Sequence, residues 1–279
     1  MLSIIYGIAA ALAWGAGDFA GGLSSRKVGA YRAVFYADFF GLLALIAAIF
    51  IYPETLPDAN VLWVSAFAGM LGSIGLLILY YSLVKGQMSV AAPVSALSAA
   101  LLPVIVGSIT EGLPKPFQVV GFALALAAVW LISQGDGSFH VSHLSDLRFP
   151  ILAGLGFGCY FIFMHNATQN TTAILWPMIV SRGAGTVLLL AFVLARREPL
   201  GVPRDAWSVV LINTTLDLAG NLFFILASQA GRLDIAAVLS SLYPGATVIL
   251  AWLLLKEHIS RWQMIGIALA FAAIVLFTI

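Results

Sequence analysis

Charge is what this chain has least of. Only 9% of its 279 residues are Asp, Glu, Lys or Arg, against roughly 25% in a soluble domain. Apolar residues make up 62%. A water-soluble fold of this size has nowhere to bury so much apolar surface, so the expected solvent is lipid. A formal net charge of +1 leaves no basic field for nucleic acid. The single cysteine, Cys159, excludes an internal disulfide, and no metal-ligand spacing occurs. Gly-rich phosphate loops, nucleophile elbows, HExxH and paired catalytic carboxylates are missing as well. The expectation is a protein with no cofactor and no catalytic residues.

What is present is a succession of long apolar runs. A membrane span takes about 20 mostly apolar residues. That rule gives ten spans, at about 2–23, 31–52, 61–84, 88–110, 116–134, 149–168, 173–195, 206–229, 234–255 and 262–279. The first run is too long for a signal-peptide core and ends in Ser24-Ser25-Arg26-Lys27 without an Ala-x-Ala exit, so it is expected to be a membrane helix. Turn chemistry separates the runs, with Pro53 and Pro57, Gly86, Pro114 and Pro116, Gly135 to Gly137, Pro199 and Pro203, and Gly231. The expected fold class is all-α integral membrane.

A weak pattern occurs twice, 145 positions apart. The stretch from Leu83 to Ala92 aligns without gaps on Ser228 to Ala237. In the same register Ser95 meets Ser240, Gln118 meets Gln263 and Gly121 meets Gly266. The expected organisation is a first five-helix repeat over 1–134, a connecting loop over 135–148 and a second repeat over 149–279. Five is odd, so the second repeat enters the membrane from the opposite face. Two such halves can rock around a site between them, as in many secondary transporters. Lys and Arg concentrate in loops one, three, five, seven and nine, which hold ten of the thirteen (Arg26, Lys27, Arg32, Lys85, Arg148, Arg196, Arg197, Arg204, Lys256 and Arg261). The positive-inside rule then places both termini away from the cytoplasm.

Trp14-Gly15-Ala16-Gly17-Asp18-Phe19 resembles the Trp-Gly start of the drug/metabolite transporter superfamily, EamA type. Pro103, Glu111, Gln118 and Gly121, and then Pro244, Glu257, Gln263 and Gly266, are similar to that family's helix-with-proline, acidic residue, Gln and Gly. The sequence departs from it at Gly112, which in ungapped register faces Glu257. The resemblance implies ten helices in two inverted halves around a central cavity lined mainly by helices one, three, four, six, eight and nine. It also implies movement of small metabolites, amino acids among them, across a membrane expected to be the bacterial cytoplasmic (inner) membrane. Its members are usually drawn with cytoplasmic termini, the reverse of the Lys/Arg count. Expected partners are a small-molecule substrate and the bilayer; a monomer suffices, with a dimer left open.

Each charge at bilayer depth costs at least about 2.5–3.5 kcal/mol and needs a reason. Arg182 and Asp217 fall near the midplane from opposite faces and are expected to pair. Two readings stand: a structural clamp, or a cavity carboxylate for a cation or proton with Arg182 as its modulator. Asp18 and Asp38 lie nearer the loop carrying Arg26, Lys27 and Arg32. They read either as groups reaching toward that loop, with Lys27 or Arg32 as partner, or as a carboxylate vestibule, Asp18 being the better candidate. Asn221 shares a helix face with Asp217 at i+4. His165 reads as an interfacial group or a proton relay. Pro93, Pro103 and Pro244 are candidate hinges, since each frees a carbonyl four residues back. Ser95 and Ser98, and Ser240 with Tyr243, lie beside them as candidate solute contacts or close-packing residues. Trp14 and Tyr80 are the expected aromatic cavity walls. Two other readings remain, a membrane enzyme on lipid-linked substrates and a scaffold subunit; the first needs polar groups clustered at one membrane face, the second large loops.

Overall fold

The computed structural model describes residues 1–85, 88–133, 147–197, 201–256 and 258–278, without the side chains of 30 and 80–93. Tyr80 and Pro93 as side chains, and Glu257 altogether, lie outside the described residues. The described residues contain no strand. The helices are α1 Leu2–Val28, α2 Ala30–Ile51, α3 Ala59–Lys85, α4 Met88–Thr110, α5 Pro116–Ile132 and α6 Arg148–Thr168, then α7 Leu175–Ala195, α8 Trp207–Gln229, α9 Leu233–Ser240, α10 Tyr243–Leu255 and α11 Arg261–Thr278. A 3₁₀ turn over Arg204–Ala206 leads into α8. Eight helices, counting Leu233–Leu255 as one, are long and apolar enough to cross a membrane; Val94–Thr110 and Pro116–Ile132 are shorter apolar helices. This is an integral membrane protein.

Local chemistry sets the boundaries. Pro116 stands in the first turn of α5, where its missing N–H costs nothing, and the Gln118 side chain accepts the Lys115 N–H at 2.9 Å. Gln263 does the same for Ser260 ahead of α11, also at 2.9 Å. α1 runs five residues beyond its expected end, because Ser24 to Lys27 continue the helix. The α9–α10 pair breaks at Ser241 and Leu242, with Pro244 in the first turn of α10. α4 behaves differently: it passes through Pro103 as one helix, so Pro103 marks no break. The Ala99 carbonyl, which Pro103 leaves without its usual donor, faces Gly158 of α6.

The principal packing crosses between the two sequence halves. α1 packs on α8, α9 and α10; α6 packs on α3 and α4; α2 and α3 meet α7, and α5 lies along α11. Small residues allow these approaches. A Cβ on Gly15 of α1 would strike the Tyr243 carbonyl oxygen of α10, and one on Gly154 of α6 would strike the Ser95 carbonyl oxygen of α4. Two bundles result, one of α1, α8, α9 and α10, the other of α3, α4, α6 and α7, with α2 touching both and α9 packed against α4 as well.

Gly154→Ala is expected to cost about 1–3 kcal/mol through backbone overlap, read as a lowered melting temperature in detergent. Gly183→Ala, whose Cβ meets nothing within 4 Å, is expected to show no such loss.

Candidate functional site

Between the two bundles lies a cavity of about 810 Å³. Its lining reaches Ser25 and Arg26 at the end of α1, Ala33 and Val34 at the start of α2, and Ser133 just past α5. All of these sit on the face of the basic loops, so the cavity opens there.

Arg182 of α7 occupies the floor. Its Nη1 donates to Asp38 of α2 and its Nη2 to Asp217 of α8. The Ser73 hydroxyl also reaches Asp38. Gly185, one turn from Arg182, leaves the space that Ser73 and the Asp38 carboxylate occupy, since a Cβ there would lie 3.0 Å from Asp38 Oδ2. One guanidinium thus ties three helices together, and its planar fork suits two carboxylates at once. Asn221 continues the patch: its Nδ2 donates to the Asp217 carbonyl oxygen at 2.7 Å, and its Oδ1 accepts from the Tyr160 hydroxyl of α6.

Beside this floor an aromatic plug fills the centre, with Trp14 and Phe161 also on the cavity wall. Trp14 lies 5.7 Å from Phe161 and 6.0 Å from Phe224, and the latter two rings are 4.6 Å apart. Phe224 is fully buried.

The far end is closed by carboxylates on helix N-termini. Glu54, after α2, accepts the backbone N–H groups of Ile174, Leu175 and Trp176 at the start of α7, at 2.8–3.4 Å. Glu111, after α4, accepts the Leu233 N–H that opens α9 and lies 3.3 Å from His165 Nε2. His165 Nδ1 is 2.9 Å from the Ser228 hydroxyl of α8. Arg232 grips the fully buried Asp234 at 2.7 Å and donates to the Glu111 and Gly112 carbonyls. Gly112 has φ 87°, a left-handed turn that an acidic side chain would strain, which accounts for its departure from the Glu257 pattern. Anions at helix N-termini are stabilised by unpaired N–H groups and the helix dipole.

The expected site residues divide accordingly. Trp14, Asp18, Asp217, Asn221, Tyr243 and Pro244 line the cavity, as does Arg182. Asp38 lines it too, on Arg182 rather than on Lys27 or Arg32. Lys27 instead pairs with Asp205 at 2.9 Å, and Arg32 donates to the Gly201 carbonyl. Four expected contacts are off the wall. Ser95 and Ser240 are buried between helices, Ser98 donates to the Val94 carbonyl, and His165 belongs to the closed end. Ser241, beside Ser240 and Tyr243 on the turn the sequence singles out, lines the cavity, whereas sequence reasoning missed Ser73, Ser181, Asn213 and Thr247, which line it too; single small polar residues carry no signal of facing. It also missed the caps made by Glu54 and Glu111.

Arg182→Met strands Asp38 and Asp217 in the interior, an expected loss of about 3–5 kcal/mol seen as aggregation on size-exclusion chromatography. Adding Asp38→Asn and Asp217→Asn to it is expected to restore a monodisperse peak.

The comparisons with known proteins agree with this architecture. A solved crystal structure superposes with a TM-score of 0.81, covering 99% of this chain and 98% of that one at 18% identity, a likeness of fold. An uncharacterised protein of Methanocaldococcus jannaschii is 32% identical over 105 residues, which are 38% of this chain and 77% of that protein. The model of the EamA-like transporter family matches twice, over residues 1–134 and 147–279. With both matches together spanning nearly all of its length, the chain belongs to the EamA-like transporter family.

Proposed function

We propose that this protein is a secondary carrier of small organic metabolites, amino acids among the candidates, that works by alternating access. The observation that carries this reading is the cavity itself. It reaches mid-membrane depth from one face and stops at an ion-paired floor. Beyond the floor, closure rests on the plug and on polar bonds that water can replace.

In this reading the chain has ten spans in two inverted five-helix repeats, 1–134 and 149–279, joined by 135–148. The duplicated sequence register supports it, as does the reciprocal use of Gly15 against α10 and Gly154 against α4. The Methanocaldococcus jannaschii relative, about half the length of this chain, has the size of one repeat. The moving bodies are not the repeats. They are the two mixed bundles, because the most extensive helix pairs, α1 with α8 and α3 with α6, lie inside those bundles and the cavity lies between them. Tyr160 to Asn221, Arg182 to Asp217, His165 to Ser228 and Glu111 to Leu233 all bridge the two, so these bonds change when the bundles rock. With the basic loops on the cytoplasmic side, the form described is open to the cytoplasm, in a bacterial inner membrane. A lipid-modifying enzyme would need its polar groups at one membrane face, and here they gather at mid-depth.

Counterflow in proteoliposomes against a panel of amino acids and metabolites, with and without a pH gradient, tests the proposal. At least one solute is expected to exchange, and exchange of none contradicts it. Asp217→Asn is expected to lower exchange by about ten-fold or more, or to alter its pH dependence, since it weakens a bridge between the bundles. An effect on expression alone would leave the Arg182 pair as a clamp.

The opening has its own test. Gly22 lines the cavity with open space beside it. In a Cys159→Ala background, Gly22→Cys is expected to react with a membrane-impermeant maleimide from the side that labels Arg197→Cys. Labelling only from the side of Thr172→Cys would reverse the assignment.

A further inference from the structure

Arg182 is the one cation at the cavity floor among the described residues, and it is already spent. Asp38 and Asp217 both accept from it, leaving that trio with an excess negative charge. Asp18 adds a third carboxylate on the same wall, within electrostatic range of Asp217 and Tyr243. It is exposed to the cavity and has no hydrogen-bond or ion-pair partner among the described residues. The other cationic side chain of the lining is Arg26, eight positions further along α1 and so about 12 Å nearer the mouth.

We propose that the cavity takes a solute bearing a positively charged amine with no carboxylate beside it, its ammonium on Asp18 and its apolar body on the aromatic part of the wall. The proposal rests on the carrier reading and names the substrate class of that same site.

An α-amino acid carries its carboxylate on the carbon that bears the ammonium. Once the ammonium reaches Asp18, that carboxylate stands beside Asp18 and in the field of Asp217, with Arg182 occupied and Arg26 two helical turns nearer the mouth. An amine without the carboxylate keeps the attraction and escapes the repulsion. The apolar part of the wall fits the rest of such a molecule. Trp14 lies one turn below Asp18 on the same helix face, with Phe161 of the other bundle beside it and Tyr243 on α10 of its own bundle. Aromatic faces also attract ammonium groups. One turn above Asp18, a Cβ on Gly22 would meet nothing within 4 Å, so the approach from the mouth is unobstructed.

The test uses the full chain in lipid nanodiscs and displacement of radiolabelled phenethylamine by unlabelled phenethylamine, butylamine, methylamine and phenylalanine. Phenethylamine is expected to compete at least about ten-fold better than phenylalanine, the size of one charge-assisted contact. Asp18→Asn is expected to erase that ratio and Asp18→Glu to keep it. The inference is overturned if phenylalanine competes equally or better, if Asp18→Asn preserves the ratio, or if none of the amines binds. The wild-type comparison needs no variant, so a misfolded mutant does not shelter the claim. Counterflow separates this inference from the one beneath it. Exchange of phenylalanine or neutral metabolites without exchange of amines removes the amine assignment and leaves the carrier. Binding of amines with no counterflow of any solute removes the carrier and leaves the site.

Discussion

Everything at the centre of this molecule depends on one guanidinium shared by two carboxylates. Arg182, Asp38 and Asp217 come from three helices, α7, α2 and α8. Removed from water separately, each would carry a cost that a marginally stable membrane fold can scarcely sustain. Held together they neutralise most of one another, and the cavity floor forms where they meet. The arrangement also decides what remains available. A floor with two acids per arginine is negative, and the carboxylate left over, on Asp18, faces the open space.

The two ends of the cavity are built from different chemistry. The open end is framed by helix termini and basic loops, tied by Lys27 to Asp205 and by Arg32 to the Gly201 carbonyl. The closed end is stitched by Glu54 and Glu111 across the N-termini of α7 and α9. A cap of this kind is worth about 0.5–2 kcal/mol, enough to favour a closed state and too little to fix it. Apolar packing of the same extent would be harder to undo, because its loss exposes surface that water does not compensate. Polar latches at the closed end and an apolar plug beside the floor suit a structure that must open at either side in turn.

Much of the fold was legible in the sequence, for a simple reason. Lipid demands about 20 apolar residues per span, and the chain punctuates those runs with Pro, Gly and charge, so Pro116, Arg148 and Trp207 begin helices near where the pattern places them. The trio was half legible: depth along the helix put Arg182 beside Asp217, but counting from the nearest loop put Asp38 with Lys27 or Arg32. Distance along one helix says nothing of what the next helix presents at that level. The same limit misplaced Ser95, Ser98, Ser240 and His165. These helices are apolar around most of their circumference, so no polar stripe shows which face looks inward. Nor does the sequence show that the packed bodies cut across the two repeats, since periodicity records ancestry of segments and not their contacts.

The central claim is that the closed end opens. Spin labels at Leu2→Cys, at the start of α1 in one bundle, and Thr172→Cys, before α7 in the other, in a Cys159→Ala background span that end, and electron–electron distance spectroscopy in nanodiscs reads their separation. With and without a transported solute, two populations are predicted, a short one matching the form described and a longer one whose share changes with solute. A single short distance under every condition would contradict the account.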